Sequence, residues 1–287
     1  MLGPRTLSSV VVVIIGVVPA VFGPWGVAVA FAALGTVALT ELVAMFARLD
    51  YRILWPIPLI TLLLALAAGA AGWPIWTISA LIAFALIAPA ACLIVRPTLD
   101  GALPAWLATT FVSLYLAVPL GHVAAVRQIA GDVASSGHWL VRLENAVGFG
   151  GTTRGLAWFL LALVTTWLTD VFAYAAGRAL GRHHMTPTIS PKKTWEGFAG
   201  GVIGAMAMAV VANWAFGVGM RAIVAVLVGV VIALFATAGD LAESLLKRQT
   251  GVKDTGTLIP GHGGVLDRLD SQLFVFVAVF YIALAVG

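Results

Sequence analysis

Charge is what this sequence has least of. Only 10% of its 287 residues are Asp, Glu, Lys or Arg, while 61% are hydrophobic and the mean hydropathy is +1.06. A soluble chain of this length needs far more polar surface to cover its core, so the surplus must face lipid. Cysteine is nearly absent. The lone Cys92 lies inside an apolar run, which excludes a disulfide framework and any CxxC metal pair. No His/Cys set has the spacing of a zinc site. Short runs of alternating polarity are also missing, which argues against a transmembrane β-barrel. There is neither an internal repeat nor a low-complexity tail. The net charge of +4 is no sign of nucleic-acid binding, because Lys and Arg in so apolar a chain mostly report membrane orientation.

What is present is a series of unbroken apolar runs about 20 residues long. They predict an all-α, polytopic transmembrane bundle of about nine spans. These lie at 7–23, 25–46, 53–72, 75–95, 103–121, 155–180, 195–216, 221–246 and 265–286. Gly23-Pro24, Trp55-Pro56, Trp73-Pro74 and Arg96-Pro97 mark breaks between them. Arg5 and the apolar run after it resemble a signal peptide, but no small-residue cleavage site precedes a polar segment. A retained first helix is expected. The chain divides into five bland membrane helices (1–121), a connecting segment (122–154) that could hold a surface helix or simply be loop, and a C-terminal region of four spans (155–287) that carries the chemistry.

With the N-terminus on one side, loops after even-numbered spans share that side and collect 12 of the 16 basic residues. The positive-inside rule puts that face in the cytoplasm. The weak point is 122–154. If it re-enters the membrane or hides a span, the first half inverts. Parity gives a firmer result. The polar loops 181–194 and 247–264 are separated by two spans, so they share a face and can meet.

Three features converge there. Asp170 lies ten residues before the end of its span, about 15 Å deep at helical rise. An acid at that depth usually lines a polar cavity, although a structural pair with Arg178 would also account for it. Next, Asp240, Glu243, Ser244 and Lys247 fall on one helical stripe. A solvated helix end with Asp240–Ser244 and Glu243–Lys247 contacts explains part of this, but explains Asp240 less well. Finally, Gly261-His262-Gly263-Gly264 precedes Asp267-Arg268-Leu269-Asp270. The glycines would let backbone approach a ligand and free the N–H groups of the last helix, though acids in a first turn can also merely complement the helix dipole. Asp240, Asp267 and Asp270 supply hard oxygens of the kind that hold Mg2+ with water and phosphate. His262 is not expected to be a metal ligand.

Upstream, Ser190-Pro191-Lys192-Lys193 reads as the N-cap and first turn of a helix, with Ser190 capping. Lysines there oppose the helix dipole unless an anion sits on them, which suggests a phosphate cradle. Lipid-headgroup anchoring explains Arg182, His183 and His184 equally well. These residue types point to Mg2+ and phosphate groups at the membrane surface, and so to phosphoryl or nucleotidyl transfer onto a lipid.

The stretch from Ser244 to Asp270 resembles the signature of the phosphatidate cytidylyltransferases, also called CDP-diacylglycerol synthases. Ser244, Lys247, Arg248, Lys253, Asp254, Gly256, Pro260, His262, Gly263, Gly264, Asp267, Arg268 and Asp270 all fit it without a gap. The stretches 190–197 and 170–178 are similar to the same family, although Val171 stands where a small hydroxyl residue is expected. The resemblance covers roughly 167–271. It implies the reaction of CTP with phosphatidate to give CDP-diacylglycerol and pyrophosphate, at the inner face of a bacterial plasma membrane. It implies Mg2+ held by Asp240 and Asp267, with a second cation left open. Asp270, Asp170 and Lys253 would complete the catalytic group. Ser190, Lys192, Lys193, Lys247, Arg248, Arg268, His262, Gly263 and Gly264 would hold the CTP triphosphate and the lipid phosphate. Two alternatives compete. An ion- or proton-coupled transporter would use Asp170 and Asp240 as relay sites, but leaves Lys192 and Lys193 without a role. A CDP-alcohol phosphatidyltransferase would need a motif this sequence lacks. Gly200-Gly201-Val202-Ile203-Gly204 could pack helices closely, within one chain or in a homodimer.

Overall fold

A computed structural model describes residues 14–74, 76–95, 98–133, 138–148, 151–257 and 263–286. They form a helical bundle, which suits a chain facing lipid because a helix satisfies its backbone polar groups internally. After helical residues 14–21 come α1 (Gly23–Ala47), α2 (Pro56–Ala71), α3 (Trp76–Ile94), α4 (Ala102–Arg127), α5 (Trp139–Val147), α6 (Thr153–Leu180), α7 (Trp195–Phe216), α8 (Ala222–Gln249) and α9 (Leu266–Val286). Seven of these are long and apolar enough to cross a membrane, and α2 is a shorter apolar helix of 16 residues. Eight expected spans therefore appear close to their expected bounds. The ninth, 7–23, lies partly outside the described residues.

Prolines stand at the starts of α1 and α2, where a missing N–H costs nothing. Gly72 and Gly217 end α2 and α7 in the left-handed conformation that a side chain would oppose. α4 runs past the expected end at 121 to Arg127. Its polar residues find partners in the interior: His122 Nδ1 lies 2.7 Å from the Val118 carbonyl oxygen. Arg127 is fully buried, donating to Ala20 O at 2.6 Å and pairing with Glu144 of α5. That pair, with Thr152 and Thr153, fastens the connecting segment to the start of α6. The segment 122–154 hides no span among its described residues. α5 has nine residues and rises about 13 Å, well short of a bilayer core.

Two packing relationships position the site. α6 and α7 lie against each other along the glycine stripe: a Cβ on Gly200 would come within 2.2 Å of Ala176 Cβ, and one on Gly201 within 3.0 Å of Ala173 Cβ. The stripe that could have joined two copies is thus used within one chain. α8 and α9 touch through backbone, since a Cβ on Gly239 would stand 2.4 Å from the Asp270 carbonyl oxygen.

Candidate active site

The contact at Gly239 sets the side chains of Asp240 and Asp270 next to each other, from the end of α8 and the start of α9. Asp170 of α6 completes a group of three acids. Its carboxylate is within electrostatic range of Asp240, and both act on Asp270. A cation enters this group from the polar loop: Lys193 Nζ lies 2.8 Å from Asp240 Oδ2. Asp240 Oδ1 also accepts from Ser244 Oγ at 3.3 Å. Among the described residues Asp170 makes no ion pair with Arg178. The Arg178 guanidinium donates to Tyr174 instead, at 3.1 Å.

Lys193 reaches Asp240 because residues 181–194 fold as a small hairpin. β1 (His184–Thr186) pairs antiparallel with β2 (Ser190–Thr194), and Ser190 faces Thr186 across the ladder. This corrects the reading of Ser190 as an N-cap. The cap of α7 is Thr194, whose hydroxyl accepts from Gly197 N at 3.1 Å. Lys192 and Lys193 therefore lie on a strand, where neighbouring side chains point to opposite sides. Lys193 turns to the acids and Lys192 is exposed. Glu196 in the first turn of α7 ties the hairpin down, with its Oε2 accepting from Arg182 N and His183 N at 3.1 and 3.2 Å. Arg248 Nε donates to Ile189 O at 3.1 Å, so the two polar loops share a face, as parity required, and they meet.

A second network lies beside the first. Lys247 Nζ bridges Glu243 at 2.6 Å and Asp267 Oδ1 at 2.7 Å. Asp267 Oδ2 accepts from Thr255 N, Thr255 Oγ1 and Gly264 N at 2.9, 3.0 and 2.8 Å. The next two N–H groups, Val265 and Leu266, donate to Glu41 of α1 at 2.8 and 2.9 Å. The glycine-rich turn before α9 thus gives these N–H groups to protein carboxylates. The expectation that they were free for a ligand is corrected. Gly263 and Gly264 are needed because the acids crowd them: a Cβ would come within 2.6 Å of Asp267 Oδ2 at the first and 2.5 Å of Glu41 Oε1 at the second.

Glu41 was missed in the sequence, where the first five spans read as bland. Its signal was there. An acid inside an apolar run is costly without a partner, and this one is 93% buried. Tyr115 of α4 was missed too; its hydroxyl is buried within electrostatic range of Glu243 and Asp270.

The remaining candidates divide. Lys253 and Asp254 are exposed on the turn after α8. Arg268 is exposed on the first turn of α9, within electrostatic range of Asp170. His262 and Pro260 lie outside the described residues. Among the described residues no three His, Cys, Asp or Glu side chains are arranged to hold a metal by themselves. The donor chemistry still suits a hard cation. Asp240 and Asp270 supply neighbouring carboxylate oxygens, and Mg2+ commonly takes only one or two of these and completes its shell with water and phosphate. Asp267 already accepts from Lys247, Thr255 and Gly264, so it would reach a cation only after Lys247 lets go.

The model of the cytidylyltransferase family matches residues 4–286. The chain belongs to the cytidylyltransferase family. Proteins called phosphatidate cytidylyltransferase are among its relatives. That of Staphylococcus epidermidis is 45% identical over 123 residues, 43% of this chain and 47% of the relative. That of Bacillus subtilis is 39% identical over 145 residues, 50% of this chain and 52% of the relative. That of Staphylococcus aureus is 42% identical over 123 residues, 43% of this chain and 47% of the relative. The chain spans about half the length of the curated relatives it matches. Membership of this family gives no support to the transporter reading of Asp170 and Asp240.

Proposed function

We propose that this protein transfers the cytidylyl group of CTP to phosphatidate, forming CDP-diacylglycerol and pyrophosphate. The observation that carries the reading is the group Asp170, Asp240 and Asp270 with Lys193 set into it from a hairpin on the polar face. In the reaction a phosphatidate phosphate oxygen forms a bond to the α-phosphorus of CTP, and the bond from that phosphorus to the pyrophosphate oxygen breaks. The phosphomonoester is already largely ionised near neutral pH, so the step needs neither a protein nucleophile nor a dedicated base. Charge neutralisation and alignment are what the protein has to supply.

The residues divide that work. Lys193, Lys247, Arg248 and Arg268 are cations on the polar face beside the acid group, suited to the triphosphate and the lipid phosphate. Lys192 and Lys253, exposed beside it, suit the outer phosphates. Asp240 and Asp270 would hold Mg2+, with Asp170 adding negative charge beside them, while Asp267 is held by Lys247. A divalent cation held by these carboxylates would supply Lewis-acid charge neutralisation for the phosphates. Lys193 then occupies a cation-binding position that it yields, or shares, when substrate arrives. The excess of Lys and Arg on this face supports a cytoplasmic orientation, in keeping with a supply of soluble CTP and with the plasma membrane of a bacterium.

The test is product identification. The purified protein, given phosphatidate, Mg2+ and CTP labelled at the α-phosphorus, yields a labelled chloroform-soluble liponucleotide and pyrophosphate. Label confined to water-soluble species overturns the reading.

A further inference from the structure

An apolar cavity opens between residues 15–16, α1, α6 and α9. Its walls are apolar, Phe31, Leu163, Trp167 and Phe276 among them, with two exceptions: Arg268 and Gln272. Arg268 is within electrostatic range of Asp170, so the cavity adjoins the acid group. Gln272 is 5% exposed, and both its side-chain oxygen and nitrogen are buried without a hydrogen-bond partner among the described residues. A buried amide is rarely left in that state, because burying it unpaired forfeits its hydrogen bonds to water.

We infer that Gln272 reads an acyl ester of the lipid substrate, whose chains occupy this cavity. The inference rests on the phosphatidate reading above and adds a specificity residue to it. Gln272 follows Arg268 by four residues, on the same face and about 6 Å further along the helix. In a phosphatidate the ester carbonyl follows the phosphate by a few bonds of glycerol. A headgroup held at Arg268 sets that carbonyl about one turn deeper, at the Gln272 amide, which can donate an N–H to it. The chains beyond the ester meet only apolar walls. A free fatty acid or a bare hydrocarbon would leave the Gln272 amide unmatched.

The experiment compares diacyl phosphatidate with dialkyl phosphatidate of equal chain length, which lacks the carbonyls. The wild-type protein should show a KM about three- to tenfold lower for the diacyl lipid, the worth of one hydrogen bond. Gln272→Leu should use both lipids alike, with its KM for CTP unchanged and its thermal stability unchanged or raised, since an unpaired amide has been removed. A structural role for Gln272 would lower stability and leave the lipid preference intact. Absence of any preference in the wild type, or a full preference in the variant, overturns the inference. A binding measurement separates this from the reaction itself. Phosphatidate brominated on its chains should quench Trp167, read as the difference from Trp167→Phe, at lower mole fraction in the diacyl than in the dialkyl form. Protein that quenches in this way yet makes no liponucleotide would refute the proposed reaction and leave the lipid site standing. No Trp167-dependent quenching would refute the site.

Discussion

Lys193 and Asp240 are joined at 2.8 Å although one lies on a surface hairpin and the other near the end of a membrane helix. The pair couples the loop 181–194 to the acid group. It also separates two neighbouring lysines that look equivalent in the sequence. Lys193→Ala should lower kcat/KM by about 10²-fold, as expected for one charge aimed at the reacting phosphates. Lys192→Ala should cost about tenfold or less. Initial rates at varied CTP and phosphatidate check this, and equal effects of the two substitutions would contradict the assignment.

Glu41 caps the last helix from the far end of the sequence. Its carboxylate accepts from Val265 N, Leu266 N and Thr255 Oγ1. Glu41→Ala removes all three contacts and should cost about 1–3 kcal/mol, seen as a lower unfolding temperature in detergent. Glu41→Gln keeps one carbonyl acceptor and should fall between the two. An unchanged unfolding temperature in Glu41→Ala would rule out the capping role.

Gly239 has no room for a side chain, because Asp270 O occupies that position. Gly239→Ala must push α8 and α9 apart at the level of Asp240 and Asp270. A displacement of about 1 Å at a reacting centre can cost about 10²-fold in rate, and overpacking costs about 1–3 kcal/mol. Turnover should therefore fall far more than the amount of folded protein. Wild-type turnover would show that the spacing of the two acids is unimportant.

At the opposite end of α6, the buried Arg127–Glu144 pair should affect stability alone. Glu144→Ala leaves a buried guanidinium uncompensated and should cost about 3–5 kcal/mol. The specific activity of the molecules that remain folded should be unchanged. A loss of specific activity matching that of the Lys193 variant would mean that the two ends are coupled.

Much of this was legible in the chain. Apolar run lengths located the helices, and parity alone required the loops around Lys193 and Arg248 to share a face. The i,i+4 contacts of Asp240 with Ser244 and Glu243 with Lys247 followed from helical spacing. Three features did not follow. Ser190-Pro191 has the local chemistry of a helix start, but pairing with Thr186 drew it into a strand and passed the cap to Thr194. The partners of Asp267 depend on a turn that folds back over it, which spacing cannot reveal. Glu41 is 224 positions from the Val265 N–H it accepts. Only the rule applied to Asp170, that an acid in an apolar span needs a partner, could have singled it out.

The most direct test of the account compares Asp240→Asn, Asp270→Asn and the wild type in the labelled-CTP assay, with each protein quantified in the membrane. Both variants should insert normally and form CDP-diacylglycerol at least about 10²-fold more slowly. Wild-type rates in both would show that these acids do not serve the reaction.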